Sequence, residues 1–272
     1  MMETKDDQAL SERVEKRQDE GLWDTVKVIL QALLIAFIIR TFLYQPFNIP
    51  SGSMIPTLLI GDYLFVNKLS YGYSKHSFDF TLSLFGHDLF SFGPVPIEGR
   101  IFARKPKRGD VVVFKLPSNP KIDYIKRIIG LPGDRIQVIN GVVYINGEAV
   151  KRERIEDYVV PDGPEKGRRI RRYRETLPNG VSYTVLDLYD GSIEDNTDVY
   201  VVPPGHYFMM GDNRDNSTDS RFLDHVGYVP YENIVGRAVI IFFSHSPDAA
   251  LYKPWTWITG IRWSRIGTWI SP

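Results

Sequence analysis

From Leu22 to Tyr44 the chain is dominated by apolar side chains, and its cleanest stretch, Val28 to Ile39, holds only Gln31 as a polar residue. Twelve residues of α-helix rise about 18 Å, short of the ~30 Å hydrocarbon core of a bilayer. Leu22 to Val26 and Thr41 to Tyr44 supply the missing length, with Lys27 and Arg40 snorkelling to opposite interfaces. The pattern predicts a transmembrane anchor over 22–44. A cleaved leader, a core helix and an interfacial helix are the competing readings. A cleaved leader calls for a short basic start and small residues at its end. Here a long polar tail of mixed charge, 1–21, precedes the run, and Arg40-Thr41-Phe42-Leu43-Tyr44 follows it. Lys5, Arg13, Lys16, Arg17 and Lys27 precede the centre of the span, which puts the tail in the cytoplasm and the bulk of the chain outside.

Beyond the apolar run the pattern turns to strands. Tyr63 to Val66, Asp110 to Phe114 and Ile122 to Ile129 carry the β-branched and aromatic residues that suit a sheet. Arg135 to Ile139, Val142 to Ile145 and Glu148 to Val150 read as three short strands, joined by Asn140-Gly141 and Asn146-Gly147. Both residues of an Asn-Gly turn tolerate positive φ, which is what a tight hairpin needs. Val199 to Val202, Tyr207 to Met210 and Ile234 to Phe243 complete a body, 45–272, that is mainly β. Tyr71 to Lys107, rich in Phe, Ser, Gly and Pro, reads as a loop over apolar surface. Lys151 to Glu175 interleaves nine basic with six acidic residues and reads as a solvated outer hairpin. Binding of nucleic acid or anionic lipid is the alternative.

Composition narrows the chemistry. The chain has 272 residues, 33 Lys and Arg against 33 Asp and Glu, and no cysteine. Zero net charge offers no field for nucleic acid. Absence of cysteine removes disulfides, thiolate metal sites and a thiol nucleophile. No P-loop, dinucleotide fingerprint or histidine pair at metal spacing is present.

One segment invites a nucleophile. In Pro50-Ser51-Gly52-Ser53-Met54-Ile55-Pro56-Thr57-Leu58, a serine sits on a stiff extended stretch between two prolines. Ser53 is nine positions past Tyr44, a reach of roughly 30 Å at full extension. A serine hydroxyl needs a base. His76, His87, His206, His225 and His245 lack recognisable catalytic context, and no Gly-x-Ser-x-Gly elbow occurs. A lysine can serve if burial keeps it neutral. Lys126, in Ile122-Asp123-Tyr124-Ile125-Lys126-Arg127-Ile128-Ile129, would share a face with Tyr124 and Ile128. It is either a snorkelling surface residue or a desolvated base. Gly211 to Arg221 is dense in short polar side chains that build rigid turns, with Asp and Arg able to brace each other.

Together these segments closely resemble the bacterial type I signal peptidase (leader peptidase) family, which uses a serine-lysine dyad. The resemblance lies in Ile49-Pro50-Ser51-Gly52-Ser53-Met54 with Pro56-Thr57-Leu58, in Arg108-Gly109-Asp110-Val111-Val112-Val113-Phe114, in Asp123 to Arg127 with Gly130-Leu131-Pro132-Gly133-Asp134, and in Gly211 to Arg221. The terminal Arg262-Trp263-Ser264-Arg265-Ile266-Gly267 also looks like the end of the Gram-negative members. Tyr71–Lys107 and about 151–199 fall outside the likeness as variable insertions.

The resemblance implies a signal-peptidase/LexA-like β-fold catalytic body behind the N-terminal helix. It implies removal of signal peptides from exported preproteins after small residues at −1 and −3. Ser53 would be the nucleophile and Lys126 the base. Ser51 would join the Ser53 amide in an oxyanion hole. Ser217 would hydrogen-bond Lys126, and Asp219 and Arg221 would pair to brace the site. Phe47, Ile49, Pro50, Met54, Leu58, Asp123, Tyr124 and Ile125 would bind substrate. No cofactor, metal or nucleic acid is called for, and membrane lipid is the second partner. Many Gram-negative members carry two anchoring segments before the serine. This chain carries one, which implies a single-pass protein of the bacterial inner membrane with its catalytic domain on the periplasmic face. A self-cleaving repressor of related fold would need a DNA-binding domain upstream, where only the polar tail stands. A tethered β-domain binding extended peptides by strand addition is the non-enzymatic alternative. Trp255, Trp257, Trp263 and Trp269, interleaved with Lys253, Arg262 and Arg265, suit a lipid headgroup zone or a simple packing role.

Overall fold

The apolar run forms one helix, Trp23–Leu43, whose last turn, Ile39–Leu43, is π-helical. Its 21 residues rise about 32 Å, enough by length and composition to cross a bilayer. The computed structural model describes residues 23–78, 80–84, 87–93, 95–96, 98–247 and 255–270. The polar tail, 1–21, and Lys253 lie outside the described residues. The chain divides into two compact units, Met1–Leu43 and Tyr44–Pro272.

The second unit is mainly β. Its largest sheet has seven strands in the order Tyr44–Asn48, Asp62–Asn67, Ile234–Ser244, Val111–Leu116, Asn119–Gly130, His206–Met210 and Val229–Pro230. All its pairings are antiparallel. Tyr44–Asn48, where the sequence pattern predicts the end of the apolar run and a linker, is an edge strand. Pro46 fits there because an edge strand can spare one backbone donor. Val111-Val112-Val113-Phe114 is apolar at every position because both faces of that strand are covered. Val111 and Val113 join one core with Met54, Leu58 and Leu64, while Val112 and Phe114 join another with Ile128, Met209 and Ile234. A strand buried on both faces loses the alternation that marks a half-solvated one.

A four-stranded sheet carries the Asn-Gly hairpins, in the order Tyr200–Val201, Arg135–Ile139, Val142–Ile145 and Glu148–Ala149. Asn140, Gly141, Asn146 and Gly147 all have positive φ, as those turns require. Three strands, Lys151–Val159, Arg169–Thr176 and Ser182–Asp187, form a separate sheet. A third core, with Ile136, Val143, Val185 and Phe208, joins this part to the main sheet.

A second expectation changes. The stretch 71–107 contains an antiparallel hairpin, Phe80–Leu84 with His87–Phe92, where a loop was expected. Residues 151–175 do form an outer hairpin, but its charges are largely paired: Arg152 and Arg171 with Asp187, Lys151 with Glu153, Arg168 with Glu165. Its inner end also carries Glu175, wholly buried. Near the carboxyl end, Arg265 ion-pairs Asp62 and Arg262 ion-pairs Asp162. Trp263 and Trp269 are 67% and 70% exposed, so these two indoles do not pack on the body.

Candidate active site

Ser53 sits on a tight turn between the first two strands of the main sheet. The turn is tied at both ends. Ile49 N–H donates to Asp62 O at 2.9 Å, Gly61 N–H to Ile49 O at 3.0 Å, and Leu58 N–H to Met54 O at 2.9 Å. Met54 and Leu58 point into the core beneath and are fully buried. From the other side Asn213 clamps the turn, its amide donating to Ser53 O and its carboxamide to Gly52 O, both at 3.0 Å. Among the described residues, no hydrogen bond uses the Ser53 amide or the Ser51 hydroxyl.

Lys126 reaches this turn from the strand Asn119–Gly130. Its Nζ lies 2.7 Å from Ser53 Oγ and 3.1 Å from Ile125 O, and 5.1 Å from the Tyr124 ring centroid. Lys126 is 4% exposed and Ser53 7%. Of the two sequence readings of this lysine, the snorkelling one is excluded. Burial pulls the Lys126 ammonium down to a pKa of about 8. Asp219 and Asp212 pull it partly back up, and Arg221 opposes them.

Strand alternation sends the neighbouring Arg127 to the opposite side, where it is also buried. Its Nε donates to Asp212 Oδ1 at 2.9 Å, its Nη2 to Asp212 Oδ2 at 2.8 Å and its Nη1 to Gly109 O at 2.8 Å. Burial alone would lower the Arg127 pKa, but the paired Asp212 raises it above the usual value. Asp219 receives Arg221 Nε and Nη2 at 2.9 Å each, and Gly211 N–H at 2.9 Å. Burial would raise the Asp219 carboxyl, but the Arg221 charge and these hydrogen bonds lower it. Glu175 holds the same loop from the outer hairpin, accepting from Arg214 Nη1 at 2.8 Å and Tyr183 Oη at 2.8 Å. Gly211 leaves no room for a side chain: a Cβ there would stand 2.2 Å from Ser217 Oγ and 2.5 Å from Ser53 O.

A cleft of about 520 Å³ opens along Ser53 and Lys126. Phe47, Ile49, Pro50, Ser51, Asp123, Tyr124 and Ile125 line it. Met54 and Leu58 do not. Their spacing in the turn turns them inward, and they support the cleft from below. Asn48, Val113, Ile122, Asn216 and Thr218 line the cleft but were missed, since nothing in their local pattern separates them from ordinary strand and turn residues. Ser217 also departs from expectation. It is buried beside Asp219, whose carboxyl it helps to lower, but its Oγ makes no hydrogen bond to Lys126. The Tyr124–Lys126 backbone pairs with Val112–Phe114 on one side only, because His206–Met210 reaches no further than Arg127. The cleft therefore has an open strand edge along one wall.

Residues 22–243 match the family described as signal peptidase, peptidase S26. Signal peptidase I of Rickettsia conorii is 45% identical over 218 residues, which cover 78% of this chain and 76% of that protein. Signal peptidase I of Rickettsia typhi is 41% identical over 249 residues, 86% of this chain and 88% of that protein. A solved signal peptidase I structure from Enterococcus faecalis V583 aligns at 28% identity, covering 49% of this chain and 97% of that one, with a TM-score of 0.29. The sequence matches alone carry the assignment.

Proposed function

This chain belongs to the signal peptidase family, peptidase S26, and on that premise we propose that it cleaves preproteins with Ser53 as nucleophile and Lys126 as general base. The observation that carries this reading is the 2.7 Å contact between Lys126 Nζ and Ser53 Oγ in a site that desolvates both. A neutral Lys126 takes the Ser53 proton as Oγ attacks the scissile carbonyl. The oxyanion is held by the Ser53 amide and the Ser51 hydroxyl, donors that nothing else in the described structure engages. When the tetrahedral adduct collapses, Lys126 returns the proton to the leaving amine. Water then enters and adds to the ester carbonyl as Lys126 takes its proton, and Lys126 returns that proton to Ser53 Oγ as the ester bond breaks and the new carboxyl end leaves.

The substrate lies as an added strand on the Tyr124–Lys126 edge, where backbone hydrogen bonds hold any sequence. Side-chain selection comes from the apolar walls. Ile49, Val113, Tyr124 and Ile125 leave room for small side chains at −1 and −3, and a larger one would overpack them.

The pH profile tests the base. Below about pH 8 Lys126 carries its proton, donates to Ser53 Oγ and cannot accept from it. Above that pH it is neutral and competent. For a substrate without ionisable groups, kcat/KM is expected to rise about tenfold per unit at low pH and to level off above about pH 8. A flat profile from pH 6 to 10, in folded enzyme with chemistry rate-limiting, would rule out a titrating lysine base.

We further assign the helix Trp23–Leu43 as a single-pass anchor, with the tail inside and the catalytic unit on the periplasmic face. Removing residues 1–43 keeps Tyr44 and its pairing with Asn67. The truncated enzyme is expected to cut short soluble peptides normally. It is expected to lose about 10- to 100-fold in rate on bilayer-inserted preprotein, because tethering confines enzyme and substrate to one surface. Equal rates for both forms on the inserted substrate would remove this role.

A further inference from the structure

A second depression adjoins the Ser53 turn, and the proposed reaction leaves it without a role. It has a volume of about 230 Å³ and an apolar lining that includes Ile60, Tyr158, Ile170, Leu186 and Leu188. Gly52 and Asn216 line both this pocket and the main cleft, so they form the ridge between the two. Ser53 is next to that ridge. Gly52 has no side chain to obstruct a crossing. Asn216 is exposed there, and no hydrogen bond among the described residues occupies its carboxamide.

We infer that this pocket receives an apolar side chain from one of the first two residues after the scissile bond, on the mature side of the preprotein. The inference rests on the Ser53 and Lys126 reading. With the signal-peptide end of the substrate in the main cleft, the acyl carbon must meet Ser53 Oγ. The chain then continues at about 3.3 Å per residue, and its next residues cross the ridge into this pocket. The wall is built for a fixed shape. Residues 158–165 come from the tip of the outer hairpin, closed by Val160 N–H to Arg168 O and Gly167 N–H to Val160 O, both 2.9 Å. Arg262 fastens that tip through Asp162, with Nε and Nη2 donating at 2.6 and 2.7 Å. The charges at the rim are neutralised by their partners, Asp162 by Arg262 and Glu165 by Arg168. An uncharged side chain therefore meets no unpaired charge in the pocket. A cavity of about 150 Å³ accommodates benzene, so this one has room for a branched or aromatic group. The variable insertion would thus supply mature-side selectivity.

The test uses full-length enzyme in detergent and two quenched-fluorescence peptides, identical up to the cleavage point. One carries Leu and the other Ser at both of the first two mature positions. The readout is the ratio of their kcat/KM values, which cancels any general loss of activity. The expected wild-type ratio is about tenfold or more in favour of Leu. It should fall close to one in Ile60→Asp and Val160→Asp. A wild-type ratio near one, or a ratio that survives both substitutions, overturns the inference, and the wild-type measurement stands even if a variant fails to fold. Ser53→Ala separates the two levels: residual cleavage by that variant would break the nucleophile reading, whereas loss of the Leu preference alone would break only the pocket.

Discussion

Lys126→Met is expected to reduce peptide cleavage by about 10⁴-fold or more while leaving the β body folded. Methionine keeps the length of an unbranched chain in a slot that is already 4% exposed, and it removes an ammonium that burial disfavours. Thermal stability should therefore hold or rise. Lys126→Arg should fail as completely, because guanidinium stays protonated and cannot take the Ser53 proton. Ser53→Ala should match either variant. The double variant should be no worse than the single ones, because nucleophile and base act as a unit. Near-native turnover by folded Lys126→Met, followed by a continuous peptide assay with circular dichroism on the same sample, would assign the base elsewhere.

The second large effect is structural. Asp212→Ala should destabilise the catalytic unit by about 3–5 kcal/mol, because it leaves the Arg127 guanidinium buried and uncompensated. For a unit of this size that is a fall in melting temperature on the order of 10 °C. Replacing both partners together, Arg127→Met with Asp212→Leu, should cost much less, because no charge is then stranded. The milder Asp212→Asn carries a signature that bulk destabilisation does not. Asp212 helps hold the Lys126 pKa up, so its removal should move the ascending limb of the pH profile to lower pH. Calorimetry and a pH series on the same variant separate the two roles. An unchanged melting temperature and an unchanged limb would show that the pair does neither.

Much of this molecule was legible before folding. The apolar run, the two Asn-Gly hairpins and the Val111–Phe114 strand are local matters, set by side-chain periodicity and by which residues accept positive φ. The Ser53 turn, Lys126 and the Asp219 and Arg221 pair could be named because each lies within a short motif. Alternation correctly put Lys126 and Arg127 on opposite sides of one strand. The same alternation was silent on what covers each side, so the lysine stayed open between surface and base.

Other parts were beyond reach for a physical reason. Whether a charge is buried depends on what packs over it, and those residues lie far along the chain. Lys126 meets Ser53 across 73 positions, and Arg127 meets Asp212 across 85. Glu175 looked like one charge among fifteen in a solvated hairpin, yet it is the buried partner of Arg214, 39 positions on, within the loop that clamps Ser53. Met54 and Leu58 belong to the motif but face the core, because the turn's own hydrogen bonds orient them. Ser217 has a place beside Asp219 but no hydrogen bond to Lys126. By itself the sequence determined most strands of the main sheet, the Asn-Gly turns and the family, and it named the candidate reactive groups, because these depend on neighbours a few residues apart. Only the tertiary structure decided which of those groups lose water and which opposite charge each one meets, and desolvation and distance are what set the Lys126 pKa beside Ser53.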